Sequence, residues 1–215
     1  HELINLNASC NSIKKVGGVT ERIWIGKKSL FLNDGVNGNY LEYNPLYAAD
    51  EWVLVYNADI LKPILGNELA AFDGIRFKNS GGVETTAGEN VNTFTQTLTM
   101  VLFHHSKESL SKLELLLLNN DMFAIVLTES GDFKCYGFDK IGNNIRDTEG
   151  LKTVVGTGAD IVELQGEVGV QVQLTATLLS MPFILFGTYD ILGVGVDVDI
   201  ASVTALLDSM CATNI

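Results

Sequence analysis

Two long alternating stretches set the strongest limit on the fold of this chain. The first runs from Asn92 to Phe103 and the second from Glu167 to Leu179. Successive side chains of a strand point to opposite faces, so each stretch is predicted to be a strand with one apolar face and one hydroxyl or amide face. At roughly 3.3 Å per residue each strand would reach about 40 Å, whereas a usual strand has about 5–6 residues.

The two faces of these predicted strands differ in composition. The apolar faces carry Phe94, Leu98, Met100, Leu102, Val168, Val170, Val172, Leu174, Ala176 and Leu178. The polar faces carry Thr93, Thr95, Thr97, Thr99, Gly169, Gln171, Gln173, Thr175 and Thr177. Long half-polar strands without charge are typical of a sheet whose second face is neither a core nor an ordinary exposed surface.

The length and the apolar content favour a β-rich domain that contacts other subunits. The 215 residues suffice for one large all-β or α+β domain, or for a domain with an extension. The mean hydropathy of +0.22 is apolar for a soluble monomer, and such surplus apolar surface commonly contacts other subunits. The longest apolar runs, Leu115–Leu118 and Met181–Phe186, fall short of the ~18 residues of a membrane helix, so we expect no membrane association.

The cysteines and the N-terminal sequence favour a protein made in the cytoplasm. Cys10, Cys135 and Cys211 are widely spaced and odd in number, so neither a disulfide framework nor a metal site is predicted. No positively charged segment followed by an apolar block is seen near the N-terminus, so we expect no secretory signal. We therefore expect the three thiols to be reduced.

The charge is strongly acidic and unevenly distributed. The net charge of −12 argues against a protein that grips nucleic-acid phosphates with Lys and Arg. Lys152 is the last basic residue, and seven acidic residues follow it. Two interpretations stay open: the acids serve solubility alone, or they form a surface that DNA passes without binding.

The rest of the chain carries shorter signals. Strands are predicted over Val19–Ile25, Trp52–Tyr56, Phe72–Lys78, Met122–Leu127 and Phe133–Phe138. Turns or loops are predicted over residues 29–50, 79–82, 129–132 and 139–160. Helices are predicted from Ser106, with a stripe of leucines, and over Ala201–Met210 after an Asp199 cap. Lys27 and Lys28 are expected to form a solvated strand end.

The segments at the two ends are predicted to differ from the domain between them. Residues 1–12 are polar and are expected to form an arm, which belongs with a β domain over residues 1–186. The composition changes at Gly187, so residues 187–215 are predicted to form a C-terminal extension. The long loop over residues 29–50 is rich in Tyr and Leu, and it either packs on its own domain or contacts a neighbour.

The sequence offers no motif for catalysis. His104 and His105 are adjacent where a strand is predicted to end, so they would point to opposite faces and make a poor metal pair. No nucleophile elbow, phosphate-binding loop or dinucleotide fingerprint is present. Asp197 and Asp199 alone are a weak metal signal. We therefore expect no enzyme, no cofactor and no metal.

The order of several motifs resembles a known family. The motifs are Gly17–Val19, Arg22–Ile25, Phe94–Thr99, Ala124–Leu127, Glu129–Phe133, Tyr136-Gly137, Gln173–Thr177 and Met181–Phe183. With the leucine-rich helix between them, the chain over roughly residues 10–186 resembles virion structural proteins with the tail-tube fold from phages and prophages of Bacteroidetes-type bacteria. The segment from Gly187 departs from the pattern of that family.

The resemblance implies both a fold and a function. The fold would be mainly β (α+β), an antiparallel β-sandwich or barrel of tail-tube type with one flanking helix, whose long strands form a ring in a hexamer. The function would be that of a tail-tube subunit of the virion, made in the host cytoplasm, whose stacked rings contact other tail proteins and conduct DNA without specific binding. Alternatives are a ring at the tube end (a tail terminator, a baseplate ring or a head–tail connector) and, more distantly, a carbohydrate-binding β-sandwich.

Two sets of residues are predicted to be functional. The lumen or ring face is predicted to carry Thr93, Thr95, Thr97, Thr99, Gln171, Gln173, Thr175, Thr177, Glu163 and Glu167. The contact between rings is predicted to involve Tyr40, Tyr43 and Tyr47, which are also the only candidates for an aromatic sugar platform.

Overall fold

The computed structural model describes residues 19–32, 40–44, 51–56, 69–74, 79–89, 91–103, 118, 120–141, 144–154, 159–164, 167–190 and 196–211. Within these ranges the chain is mainly β with one α-helix, which confirms the predicted class. A 3-10 helix spans Lys28–Phe31, and the helix α1 spans Ile200–Ser209. The strands are β1 (Val19–Lys27), β2 (Tyr40–Asn44), β3 (Glu51–Tyr56), β4 (Leu69–Asp73), β5 (Ser80–Thr86), β6 (Thr93–Phe103), β7 (Met122–Thr128), β8 (Phe133–Tyr136), β9 (Asp139–Ile141), β10 (Asn144–Arg146), β11 (Lys152–Thr153), β12 (Ala159–Leu164), β13 (Glu167–Leu178), β14 (Phe183–Asp190) and β15 (Val196–Asp197).

Most of these strands belong to two sheets that pack as a sandwich. The first sheet has the order β2-β3-β14-β8-β7-β1-β4, and β15 pairs with β14. The second sheet has the order β11-β13-β6-β5, and β12 also pairs with β13. The strands β9 and β10 form a separate hairpin. Among the described strands neither sheet closes into a barrel.

The two predicted long strands are confirmed as β6 and β13, and they are direct neighbours. They pair antiparallel in ten consecutive positions, from Gly169 opposite Phe103 to Leu178 opposite Phe94. Directly opposite residues of paired strands lie on the same face of a sheet. The apolar faces of the two strands therefore join into one surface, and so do their polar faces.

The apolar surface of the second sheet forms the core of the sandwich. Leu98, Met100 and Leu174 are fully buried, and they share one cluster with Ile23 and Ala124 of the first sheet. Burial of each such side chain contributes roughly 1.5–3 kcal/mol. This packing holds the second sheet by one face and leaves its polar face turned away from the core.

The opposite face of the first sheet is covered by α1. Val203 and Leu207 of the helix pack in a second cluster that contains Trp24. The alternation along β1 explains the two clusters, since Ile23 and Ile25 contact the first while Trp24, between them, contacts the second. The sandwich therefore has a third, helical layer.

The helix starts and docks through carboxylates. Its predicted cap is confirmed, because the Asp199 side chain accepts a hydrogen bond from Ser202 N at 2.9 Å. Hydrogen bonds from the side chain and then the backbone of Ser202 lower the pKa of Asp199. Near its end, Asp208 Oδ1 accepts a hydrogen bond from Trp24 Nε1 at 2.8 Å. The same oxygen lies 3.0 Å from Arg22 Nε, an ion pair in which the N–H is not aligned for a hydrogen bond.

Residues beyond 186 take part in the first sheet. The strand β14 runs across the predicted boundary, from Phe183 to Asp190, and it pairs with β3 and β8. The chain after α1 is also tied to the sheet, since Leu69 N donates to Met210 O at 3.1 Å. The segment from residue 187 thus supplies half a strand and the helical layer.

Several local predictions are corrected by the tertiary structure. The predicted turn at Asn79–Gly82 is wrong, because Ser80 begins β5 and Gly81 leaves room for the Tyr136 ring: a Cβ there would lie 2.3 Å from the Tyr136 hydroxyl oxygen. The predicted loop over residues 29–50 contains the 3-10 helix and β2, and the loop over 139–160 contains short paired strands. The hairpin around residues 129–132 is confirmed, with Gly131 at a φ of 94°.

Other predictions fall on parts of the chain that are not described. The N-terminal arm, the histidine pair and the helix from Ser106, apart from Leu118, lie outside the described residues. In the part of the chain that is described, no helix has the length and apolar character needed to cross a membrane.

Candidate functional site

The most extended candidate for a functional surface is the outer, polar face of the second sheet. The register of β6 and β13 places Thr95 opposite Thr177, Thr97 opposite Thr175 and Thr99 opposite Gln173. The strand β5 lies on the other side of β6 and continues the face with Ser80, Gly82, Glu84 and Thr86. With strands about 4.8 Å apart, three neighbouring strands present a regular array of hydroxyl and amide groups.

The hydroxyl groups of this face are partly satisfied within the sheet. The Oγ1 atoms of Thr95 and Thr177 lie 3.3 Å apart and share a hydrogen bond. Thr175 Oγ1 donates to the carbonyl oxygen of Gln96 at 3.2 Å. Gln171 and Thr177 are exposed, whereas the remaining predicted face residues with described side chains are half-buried. The face therefore offers weak hydrogen-bonding capacity and little freedom to rearrange.

Few charges interrupt the polar face. Glu84 is exposed on β5, and Lys152 lies on β11 opposite Thr175. The Lys152 ammonium pairs with the Glu149 carboxylate, and this hydrogen bond lowers the pKa of Glu149. The lysine is thus locally neutralised, so a passing polyanion would find no cluster of unpaired basic groups among the described side chains of this face.

A buried glutamine fixes the polar face from beneath. Gln96 lies on the apolar side of β6 and is fully buried. Its Nε2 donates to Ser180 O at 2.9 Å, and its Oε1 accepts from Gly137 N at 2.9 Å. The side chain thereby joins the second sheet to β8 of the first sheet and to the corner between β13 and β14. Gln96 was not among the predicted site residues, although an amide in an apolar position of the alternation is a visible signal.

The corner held by Gln96 contains further buried polar contacts. Ser180 Oγ accepts from Lys140 N at 3.0 Å. Asp139 Oδ1 accepts from Leu179 N at 3.0 Å, while its Oδ2 lies 3.4 Å from an Arg146 nitrogen. We call these residues, Gln96, Gly137, Asp139, Lys140 and Ser180, the corner network. Because buried polar groups are costly unless paired, this network specifies one geometry for the corner.

An asparagine clamps the sandwich towards the other end of β6. Asn79 is buried, and its Nδ2 donates to Thr20 O at 3.0 Å. Its Oδ1 accepts from Val101 N at 3.0 Å. The pairing of β5 with β6 starts at Ser80, so the Asn79 side chain takes the place of a backbone partner for Val101 of β6. Because it also bonds Thr20 of β1, it connects the two sheets. The polar face is therefore fixed near both of its ends.

The strand β5 is an unprotected edge among the described strands. All seven of its residues are exposed. Natural edge strands are usually guarded by Lys, Pro, a bulge or a covering segment. The sequence of β5 contains neither Lys nor Pro, and Gly81 and Gly82 have no side chains that would obstruct an approaching strand. Such an edge has free backbone groups that can pair with a strand of another chain.

The predicted tyrosines do not form one surface. Tyr40 and Tyr43 lie on β2, and their odd separation directs them to opposite faces. Tyr43 packs on the Trp52 ring of its own subunit, with ring centroids 5.5 Å apart. Tyr40 is half-buried, and burial raises its pKa. Tyr47 lies outside the described residues, so a shared aromatic platform is not formed by the two that are described.

Glu163 and Glu167 are brought together only at the level of the backbone. They belong to the hairpin β12–β13, in which Glu163 pairs with Val168 and Leu164 pairs with Glu167. This hairpin lies at the end of β13 that is remote from the corner network. The side chains of both glutamates lie outside the described residues.

Lys28 is a buried cation, although its position at a strand end predicted a solvated side chain. Lys27 is exposed, but Lys28 is fully buried, and its ammonium donates to the Thr148 carbonyl oxygen. Burial lowers the pKa of Lys28, while the nearby carboxylates of Asp121, Asp147 and Asp139 oppose that shift. The prediction of a solvated strand end is therefore wrong at this residue, since the segment after β10 folds over it.

The described residues hold two buried cysteines and no cluster of potential metal ligands. Cys135 and Cys211 are buried and not in a disulfide, and burial raises the pKa of the Cys135 thiol, which makes it unreactive. No three potential metal ligands among His, Cys, Asp and Glu come together in this part of the chain. Comparisons with protein-family models, with curated proteins and with solved structures found no match to this chain.

Proposed function

We propose that this chain is a phage virion structural protein, a tail-tube subunit that assembles into stacked hexameric rings around a DNA conduit. The observation that carries the proposal is the polar face of the second sheet. It extends in register over β5, β6 and β13, opposite a tightly packed core. So long a face of hydroxyl and amide groups with so few charges is what we expect of a surface that lines a conduit.

The chemistry of that face suits the lumen of a conduit. Proteins hold DNA by neutralising its phosphates with Lys and Arg. A conduit needs a lining that does not hold phosphate. The Thr and Gln side chains of this face can bind water in the bore, and they carry no positive charge that would attract phosphate. Acidic groups nearby, among which we place Glu163 and Glu167, would repel DNA over a Debye length of about 8 Å at physiological salt.

The edge strand β5 supports ring assembly. Its exposed backbone can pair with a strand from a neighbouring subunit, which extends the second sheet from one copy to the next. A head-to-tail contact of this kind closes into a ring when the rotation between copies permits it. In a closed ring the polar faces of successive copies would join into one inner surface.

Negative-stain imaging of the purified full chain tests the proposal. We expect rings with a central bore, and tubes at high protein concentration. Rings that never stack would instead identify a component of the tube end, such as a terminator, a baseplate ring or a head–tail connector. A monomer at all concentrations, also in the presence of other tail proteins, would refute the assembly.

A further inference from the structure

The strand β5 extends beyond the cover of the first sheet. Val83 and Thr85 lie on the side of β5 that continues the apolar face, since they pair with Gln96 and Phe94 of β6. Even so, both side chains are exposed, and Val83 is 36% exposed. The sandwich is therefore open at β5 on both faces as well as along the backbone of the strand.

The strand β11 forms part of the opposite edge of the same sheet. It consists of Lys152 and Thr153, which pair with Thr175 and Leu174 of β13. Among the described strands β11 pairs with β13 alone, just as β5 pairs with β6 alone. Each edge of the second sheet thus includes a strand with one open side.

The strands at these two edges run in opposite directions. The steps from β5 to β6, from β6 to β13 and from β13 to β11 are all antiparallel. Neighbouring copies in a ring keep the same sense along the ring axis, so β11 of one copy would lie antiparallel to β5 of the next. Pairing between copies would therefore continue the antiparallel pattern that the sheet already has.

The two edges also lie at the same level of the sheet. The pairings place Gly82, Thr97, Thr175 and Lys152 in one row across β5, β6, β13 and β11. All four belong to the polar face, because directly opposite residues share a face. A neighbouring copy that is offset by an even number of residues keeps the polar faces together, whereas an odd offset would turn polar side chains to the core side.

The two edges carry opposite charges on the polar face. Glu84 is the only charged residue of β5, and Lys152 is the only charged residue of β11. Both are exposed. If Gly82 lay opposite Lys152 of the next copy, Glu84 would be a diagonal neighbour of that lysine at about 7–8 Å, within reach of two long side chains. The stagger that a closed sheet requires can bring the two residues directly opposite one another.

Lys152 has a local partner that leaves it accessible. Its ammonium pairs with Glu149, but the two side chains are 47% and 80% exposed, and such surface pairs contribute little stability. A second carboxylate can therefore approach the lysine. Charges at an interface select the orientation and register of a partner more than they add affinity, whereas backbone hydrogen bonds between two strand edges supply affinity.

Two copies of β5 match each other less well. Antiparallel pairing of β5 with β5 would bring two Glu84 carboxylates to the same face of one narrow contact, where like charges are destabilising. Such a two-fold contact would also leave both copies of β11 open and would not continue into a ring. A contact between β5 and β11 uses both edges of every copy.

We propose that β5 of one copy pairs antiparallel with β11 of the next copy, with Glu84 beside Lys152, so that the polar faces of successive copies form one surface. This inference rests on the proposed function, since it names the two edges and the ion pair that join subunits within a ring. The backbone of the two strands holds the copies together, and the ion pair selects the edge and the register.

An exchange of charges tests the contact in the full chain. Glu84→Lys and Lys152→Glu each place like charges at every contact of the ring, so each should lower the fraction of chains in rings about tenfold or more. Both substitutions in one chain restore an opposite pair and should recover most of the rings. Glu89→Lys, beyond the end of β5, and Lys27→Glu, on β1, are the controls and should assemble as the wild type does. Circular dichroism and thermal melting establish folding, and sedimentation velocity with negative-stain imaging counts rings.

Crosslinking identifies the two edges directly. Chains with Glu84→Cys and chains with Lys152→Cys are mixed before assembly and treated with a short bismaleimide, in a Cys10→Ser background in which Cys135 and Cys211 are buried. We expect covalent dimers in the mixture and few with either chain alone. Dimers of the Glu84→Cys chain alone would show a two-fold contact between β5 strands and would refute the proposal.

The outcomes separate this contact from the proposed function. Rings that form normally with Glu84→Lys and with Lys152→Glu would overturn the contact and leave the conduit standing. Failure of the combined substitutions to recover rings would overturn the ion pair. Open chains that crosslink between positions 84 and 152 but enclose no bore would support the contact and overturn the conduit. A wild-type chain that forms neither rings nor crosslinkable chains would overturn both.

Discussion

Gln96 Nε2 donates a hydrogen bond to the carbonyl oxygen of Ser180 across 2.9 Å, in the buried interior of the sandwich. The two residues are far apart in the sequence, and the bond fixes the corner from which β14 starts. It joins β6, which carries the proposed lumen face, to the corner between β13 and β14. The placement of the proposed lumen face against the corner therefore depends in part on one amide side chain.

The first prediction follows from that amide. Gln96→Leu should lower the free energy of unfolding by about 2–4 kcal/mol, because it leaves Ser180 O and Gly137 N buried without a partner. Chemical denaturation of the unassembled chain measures this change. Thr97→Val, on the neighbouring half-buried position of the polar face, should change stability by less than about 0.5 kcal/mol. Equal effects of the two substitutions would contradict the role of Gln96.

The second prediction uses two adjacent glycines of β5. Gly81→Ala should destabilise the chain by about 1–3 kcal/mol, since its Cβ would lie 2.3 Å from the Tyr136 hydroxyl oxygen. Gly82→Ala is the control, because a Cβ at that position meets no atom within 4 Å. Thermal or chemical unfolding separates the two variants. If Gly82→Ala were the more harmful substitution, the packing of Tyr136 on β5 would be wrong.

The third prediction concerns the docking of α1. Asp208→Ala removes the acceptor of the buried Trp24 Nε1, which should cost about 1–3 kcal/mol of stability. Loss of Trp24 order should also be visible as a change in tryptophan fluorescence before global unfolding. Asp197→Ala removes an exposed carboxylate from the short strand β15 and serves as the control. If the tryptophan emission of Asp208→Ala stayed the same as that of the wild type until global unfolding, the contact between Asp208 and Trp24 would be wrong.

The fourth prediction concerns pH and the buried Lys28. Its pKa is lowered from the ordinary value of 10.5, so the folded chain binds this proton less strongly than the unfolded chain does. By linkage, this group destabilises the fold most at pH values below its folded pKa, and the penalty disappears as the pH rises to 10.5.

The difference in stability between the wild type and Lys28→Met isolates this effect from other titrating groups. Denaturation at a series of alkaline pH values should show the difference shifting in favour of the wild type as the pH approaches 10.5. Lys27→Met, at the exposed neighbouring position, should show no such trend. A difference that is independent of pH would contradict burial of the Lys28 ammonium.

The fifth prediction concerns the bore of the assembled ring. A structure of the ring should show Thr97, Thr175 and Gln173 facing the lumen, with a negative potential. Thr97→Lys should make assembled rings bind duplex DNA in a salt-dependent manner, whereas Ser202→Lys on the exposed side of α1 should not. A bore lined mainly by Lys14, Lys15, Lys27 or Arg76 would show the charge argument to be wrong.

Local patterns in the sequence were sufficient for the elements that carry the proposed lumen. Alternation over residues 92–103 and 167–179 determines both the strands and their two faces, because the direction of a side chain on a strand depends only on its position along the backbone. The same holds for the cap at Asp199, where a carboxylate and a backbone N–H three residues later satisfy each other.

Tertiary structure alone decided how these elements meet. Four features depend on contacts between segments that are remote in the sequence. They are the pairing of β6 with β13, the burial of Gln96 on the apolar side, the room that Gly81 leaves for Tyr136 and the contact of Lys28 with Thr148. A polar residue in an apolar pattern, or a lysine at a strand end, can be either buried or exposed to solvent. It is buried where a distant partner completes its hydrogen bonds, because an unpaired buried polar group is costly. Local sequence therefore determined which residues share a face, and the packing of distant segments determined which of them are buried and what they contact.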